Sequence, residues 1–293
     1  MDIAVFLVQC LNAVQYGLLL FLVASGLTLI FGILGVINLA HGSFYMIGAY
    51  LAYALAPWAA THLGAGFFGA LAIGLVLSIV FGYVLEWAFV SYLYEREHLQ
   101  QVLMTYGLIL VFEELRSIIA GDDVHGVAPP AWLSGSVPLG DVMTYPVYRL
   151  FMSGVCIAIA LALYAVLTRT RVGMAIRAGA SNREMVQSLG VDIRLLYRIV
   201  FAAGVALAVF AGMIAAPVSS VYPGMGNQVL IVSFVVVVIG GIGSVRGALL
   251  ASLLVGFVDT FGKVFIPQIA AILVYVLMAL ILLWRPEGLF RTG

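Results

Sequence analysis

Residues 37–50, INLAHGSFYMIGAY, place Asn38, His41, Gly42 and Ser43 inside an otherwise apolar stretch. A helix starting near Gly42 or Ser43 would turn unpartnered amides and a positive dipole end toward the polar cluster, a geometry that holds a carboxylate or amide oxygen. Asn38 and His41 would add hydrogen bonds. In the competing reading Asn38 and His41 only pack helices or cap a loop, with no ligand contact. A second segment, IGGIGSVRGALLASLLVGF (239–257), resembles FGILGVINLAHGSFYMIGA (31–49) once a three-residue gap is allowed. Each runs from a glycine-punctuated apolar stretch through a polar cluster into a small-residue helix start. Gly243 and Ser244 therefore join the candidate set, and the chain carries a possible internal repeat.

Catalytic constellations are missing from the sequence: it has no HExxH, no GxSxG, no paired Cys/His set and no acidic metal cluster. Cys10 and Cys156 lie in apolar runs without ligand spacing and read as buried thiols. No GxxxxGK[ST] stretch occurs either, so the chain cannot hydrolyse ATP by itself. Ionisable groups in or near apolar runs are Glu86, Glu113, Glu114, Arg116, Asp259 and Lys263. At mid-membrane each would cost about 2.5–3.5 kcal/mol, which argues against lipid exposure. Glu113 or Glu114 with Arg116, and Asp259 with Lys263, have the spacing of helical ion pairs.

The elements that position these groups are membrane helices. Charged residues are 9 % of the chain and apolar ones 64 %, far from the roughly 25 % charged of soluble domains. Apolar runs predict spans near 3–34, 42–60, 67–93, 99–119, 145–168, 195–217, 228–242, 247–264 and 267–284. The fold class is thus an all-α polytopic membrane protein of eight or nine crossings, with broken or re-entrant glycine-rich segments. The start, MDIAVFL, lacks a basic signal-peptide region and reads as part of the mature protein. A helix over 3–34 would measure about 48 Å against a core of about 30 Å, so it is expected to be tilted, broken or partly re-entrant. Glycines 32, 35, 42, 240, 241, 243 and 247 mark chain breaks, which lipid tolerates only against protein or a watery path. Trp58, Trp87, Trp132 and Trp284 fall near span ends, as in an aromatic belt.

Charge sets the topology. Arg169, Arg171, Arg177, Arg183, Arg194 and Arg198 face only Glu184 and Asp192 across the same stretch, whereas the polar stretch 121–145 carries Asp122, Asp123 and Asp141 without Lys or Arg. The positive-inside rule puts the first loop in the cytoplasm and the second outside, and four further spans return the C-terminus to the cytoplasm. Within the basic loop, Ser181 or Asn182 caps a short helix with Glu184 in its first turn, and Gly190 stops it. An exposed capped helix between spans suits docking of another protein.

Four stretches, GLTLIFGILGVINLAHGSFYMIGAY (26–50), RVGMAIRAGASNREMVQSLGVD (171–192), FVVVVIGGIGSVRGALLASLLVG (234–256) and RPEGLF (285–290), resemble permease subunits of the branched-chain amino acid (LivH/LivM-type) ATP-binding cassette importers, the H-type above all. The resemblance runs over essentially the whole chain. It implies one permease domain over 1–293 in a bacterial inner membrane, with residues 169–194 as a cytoplasmic coupling loop. The implied partners are a second, LivM-like permease subunit or a second copy, two ATP-binding subunits that hold ATP and Mg, and a periplasmic substrate-binding protein; no nucleic acid is implied. In such importers a loop Glu followed six residues later by Gly sits in a groove of the ATPase. Glu184 and Gly190 have that spacing, but Met185 and Val186 replace the usual Ala-Ala and the closing Pro is absent, so the assignment rests on the whole pattern from Arg177 through Arg183 to Gly190. The expected cargo is a branched-chain or other hydrophobic amino acid, or a related small solute. The rival from another class is a stand-alone secondary transporter or channel coupling ions through Glu113, Glu114, Arg116 or Asp259.

Overall fold

In hydrocarbon the backbone must satisfy its own hydrogen bonds, so long runs of Leu, Val, Ala and Phe become helices. A computed structural model describes residues 3–94, 96–139 and 143–290. Its first four helices are α1 (Ile3–Leu34), α2 (His41–Leu63), α3 (Gly66–Ala88) and α4 (His98–Ala120). A two-stranded antiparallel hairpin, β1 (Ser136–Leu139) and β2 (Met143–Pro146), then leads into α5 (Val147–Arg169). Two short helices, α6 (Arg171–Ser181) and α7 (Arg183–Ser188), precede α8 (Ile193–Ala215), α9 (Met225–Gly240), α10 (Val245–Phe265) and α11 (Ala270–Trp284). Each expected span appears as one helix, except that the span expected over 67–93 ends as α3 at Ala88 and is followed by a separate 3-10 turn, Val90–Leu93. By length and apolarity α1, α3, α5, α8 and α10 can cross a membrane, while α9 and α11 are shorter apolar helices.

Burial ranks the helices. The apolar stretch of α1 is 78 % buried and that of α8 72 %, whereas that of α5 is 11 % buried. Thus α1 and α8 form the core, lined by α2, α3 and α10, and α5 stands at the edge against α1 and α6.

Of the alternatives for the first run, a break within it is ruled out: α1 is one continuous 32-residue helix, and the break follows it at Gly35, whose φ is +67°. Residues 35–40 double back along α1, so that the ring of His41 comes level with Val23 and Gly26. The second glycine-rich segment repeats this plan, with α9 ending at left-handed Gly241 and Gly243 before α10 begins. The two breaks meet where Gly32 packs against Gly243, too closely for a side chain on Gly32.

One end of the bundle gathers α6, α7, the 241–244 turn and the tail, whose Leu289 and Phe290 amides donate to the carbonyls of Ile239 and Gly240 at 2.8 and 3.2 Å. The opposite end carries the hairpin and the bridge between His125 and Val221. There Arg116 pairs with Asp122 at 2.7 Å and donates to the carbonyl of Gly121, while Glu113 accepts from Asn227. The pairing of Arg116 with Glu113 or Glu114 expected from spacing is therefore replaced, because the last turn of α4 leaves carbonyl groups that draw the guanidinium along the axis. Lys263 and Asp259 do pair, at 2.6 Å. Cys156 is buried, Cys10 half-buried, and both are free thiols.

Candidate functional site

The helix break at residues 35–41 is held by its own polar groups. Asn38 Oδ1 accepts the Ala40 amide at 3.1 Å, the Asn38 carbonyl accepts that of His41 at 3.4 Å, and the Ala40 carbonyl accepts that of Ser43 at 3.0 Å. His41 is fully buried, and its Nε2 donates to the Val23 carbonyl at 2.9 Å. Asn38 and Ser43 are buried as well, at 2 % and 4 % exposure. Gly42 lies where α2 crosses α9: a methyl there would meet the carbonyl oxygen of Gly226 and Cβ of Leu230. These four residues sit together, at a helix start that begins at His41.

The open space lies elsewhere. A cavity of about 790 Å³ runs between α1, α5, α6 and the α9–α10 turn. Along α1 it is lined from Phe21 to Ile33, a run of roughly 18 Å at 1.5 Å per residue. Gly243 and Ser244 line it, together with Arg177 of α6. The structure thus joins one candidate path pair to one candidate coupling residue, and sets Asn38, His41, Gly42 and Ser43 apart from them. At the rim, Arg246 lies over the ring of Tyr164, 5.2 Å from its centre, and donates to the Tyr164 hydroxyl at 3.2 Å. Tyr164, Arg177, Ser181, Ile242 and Arg246 are exposed, so the cavity opens at the α6–α7 end.

Ser244 is the N-cap of α10, its Oγ accepting the Gly247 amide at 3.1 Å. The same cap chemistry organises the basic segment. Thr170 Oγ1 accepts the Gly173 amide, Asn182 Oδ1 that of Met185 and Asp192 Oδ1 that of Leu195, each at 3.0–3.1 Å. Asn182, one of the two expected caps, starts α7, the short helix expected before Gly190, and also ends α6, which precedes it. At the far end Gly190, with φ +83°, donates to the Gln187 carbonyl, and Val191 donates back to that of Val186, closing α7 in a left-handed stop. Glu184 stands in the first turn of α7; the Arg183 side chain lies outside the described residues. Arg177 points from exposed α6 into the cavity rim, and α7 is exposed along most of its length.

Sequence reasoning passed over a second polar junction. Glu86 of α3, 1 % exposed, accepts from Tyr94 at 2.6 Å and pairs with Arg198 of α8 at 3.1 Å. Its signal was available, since an acid inside an apolar run requires a partner, but residues 112 positions apart have no spacing rule. Thr28, Tyr164 and Arg246 were missed for a similar reason, although Thr28 and Gly32 share one face of α1 at i and i+4.

A family described as "Branched-chain amino acid transport system / permease component" matches residues 9–283. The high-affinity branched-chain amino acid transport system permease protein BraD of Pseudomonas aeruginosa is 30 % identical over 97 % of this chain and 95 % of its own. The corresponding LivH of Escherichia coli K12 is 27 % identical with the same coverage. A solved chain described as PsaBC from Streptococcus pneumoniae in complex with Fab superposes with TM-score 0.45 and 12 % identity over 92 % of this chain and 87 % of that one, too distant to define a shared fold.

Proposed function

This chain belongs to the permease-component family of branched-chain amino acid transport systems, and from that premise we propose that it moves a branched-chain or similar hydrophobic amino acid by alternating access, driven by separate ATPase subunits that dock on α6 and α7. It is a multi-pass membrane protein and the transport subunit of an ATP-binding cassette importer. The complete machine would comprise this chain, a LivM-like second permease subunit or a second copy, two ATP-binding subunits carrying ATP and Mg, and a periplasmic binding protein.

The observation that carries the reading is that α6 both faces outward and supplies Arg177 to the cavity wall. A push on α6–α7 therefore reaches the space through which solute would pass. The pieces that would transmit it are short and capped at each start, by Thr170, Asn182 and Asp192, so they resist unwinding. Reversing a two-state gate from 1:99 to 99:1 takes about 5.5 kcal/mol of differential binding, within the range of nucleotide-driven closure of two ATPases. Residues 169–194 would then be the coupling segment, with Arg177, Arg183, Glu184 and Gly190 its determinants. The polar break at Asn38, His41, Gly42 and Ser43 would shape the path from behind, fixing how α2 leaves α1, while Gly243 and Ser244 border it directly.

The test is uptake. Proteoliposomes carrying this chain with its permease partner, ATPases and binding protein should accumulate radiolabelled leucine when ATP is supplied on the ATPase side. Leucine uptake by this chain alone under an ion gradient would replace this reading with the secondary-transporter one.

A further inference from the structure

Glu86, Gln101 and Thr105 are buried polar side chains of α3 and α4, exposed by 1 %, 3 % and 1 %, and all three reach beyond their own helix. A polar side chain on an apolar helix is most simply satisfied by a carbonyl of its own preceding turn, as Ser78 is by Leu75 at 2.8 Å and Ser252 by Leu249 at 2.9 Å. Glu86 instead holds Arg198 of α8, 112 positions away, at 3.1 Å. Gln101 Oε1 accepts the amide of Ile37 in the helix break, 64 positions away, at 3.4 Å. Thr105 Oγ1 lies 2.9 Å from the Gln101 carbonyl and 3.4 Å from that of Ile37.

These bonds join end to end. Arg198, in the second turn of α8, donates to one carboxylate oxygen of Glu86, and the other accepts the Tyr94 hydroxyl at 2.6 Å. Tyr94 follows directly on the 3-10 turn Val90–Leu93. Gln101 Nε2 donates to the Leu93 and Arg96 carbonyls on either side of Tyr94, at 3.1 and 3.2 Å. Through Oε1 the same amide then holds Ile37, next to Asn38, whose carbonyl accepts the His41 amide at the start of α2. On its other side the break continues from the end of α1, where Phe31, Gly32 and Ile33 line the cavity. One line of contacts thus leads from α8, just beyond residues 169–194, to the break and the cavity wall.

We propose that Glu86, Tyr94 and Gln101 are positioning residues for transport, which carry a displacement of α8 to the 35–41 break and so to the end of α1. This rests on the proposed function and gives it a second line of transmission, separate from Arg177, which reaches the cavity directly from α6. Such a line must be stiff. Away from water a broken hydrogen bond strands its polar atoms instead of exchanging them for solvent. If α8 shifts against α3, therefore, either the Glu86 carboxylate is left without its countercharge or the turn that bears Tyr94 moves too. Ring contacts brace the same joint: Tyr197 packs edge-on to Tyr94 with centroids 5.0 Å apart, and the Arg198 guanidinium lies 5.7 Å from the centre of the Tyr83 ring. Two consecutive residues of α8 hold the joint.

Two measurements on the reconstituted complex test this, one of them independent of transport. In hydrogen exchange read by mass spectrometry, Tyr94→Phe, which removes a single hydroxyl, should speed exchange of the amides of 36–41 by at least roughly threefold and leave residues 121–135, at the opposite end, unchanged. Arg198→Gln should do the same, and Arg198→Lys, which keeps the charge, should restore most of the protection. In the second measurement Tyr94→Phe and Gln101→Leu should each lower the leucine taken up per ATP hydrolysed by at least roughly threefold. The double variant should lose no more than the worse single one, since both sever the same line. Unchanged exchange at 36–41 in both Tyr94→Phe and Arg198→Gln would overturn the proposal. So would faster exchange with an unaltered ratio of leucine to ATP, or losses that add in the double variant. If exchange responds as expected but the unaltered complex takes up no leucine with ATP, the functional reading fails and the link between α8 and the break stands.

Discussion

Gly42 shows how a residue's role follows from what surrounds it. In the sequence it marks a candidate path residue; in the fold it is the contact at which α2 crosses α9, against Gly226 and Leu230. Enlarging it forces the helices apart, and overpacking of this kind costs roughly 1–3 kcal/mol. Gly42→Leu should therefore lower the thermal unfolding midpoint of the purified chain as well as transport; a variant that loses transport with an unchanged midpoint would show instead that Gly42 faces the path. Some residues were legible because their signal is local. Asn182 as a cap, Gly190 as a stop and Asp259 with Lys263 as a pair each follow from a few neighbouring positions. Arg116 was misread because its true partner, Asp122, lies past the end of α4, where helical spacing no longer applies.

Among the elements, the long spans were readable from apolar length alone, and the helix bounds fall within a few residues of the expected ones. What length could not supply was which helix sits inside. An all-apolar helix looks the same facing lipid or protein, so nothing in composition separates buried α1 from exposed α5. The same limit hid the tie between α3 and α8. Arg198 stands in the second turn of α8, just beyond the coupling segment, and its partner Glu86 is 1 % exposed. Removing the countercharge of a buried carboxylate costs about 3–5 kcal/mol. Arg198→Ala should accordingly destabilise the chain strongly, and Glu86→Gln with Arg198→Ala should recover part of the loss because no buried charge is then stranded. Equal midpoints for Arg198→Ala and the unaltered chain would show that the pair contributes little.

Across the whole molecule, arginines are sorted by end. Arg96, Arg169, Arg171, Arg177, Arg194, Arg198, Arg246 and Arg285 belong to the end that carries α6 and α7, whereas Arg116, Arg149 and Lys263 belong to the other. Under the positive-inside rule the first end would be cytoplasmic, which would put the cavity mouth, the proposed coupling segment and the end of α11 on that side. In a background without Cys10 and Cys156, a cysteine at Ser188 should react with an impermeant maleimide only after the membrane is opened, and one at Ser136 should react in intact cells; the reverse pattern would invert the topology. The central claim is that a separate ATPase drives this pore through α6–α7. It is tested most directly by measuring ATP hydrolysis and leucine uptake together in the reconstituted complex with Arg183→Ala and Glu184→Ala combined. The account predicts that the complex still assembles and hydrolyses ATP while uptake falls by at least roughly tenfold, a change of about 1.4 kcal/mol in coupling; uptake equal to that of the unaltered complex would contradict it.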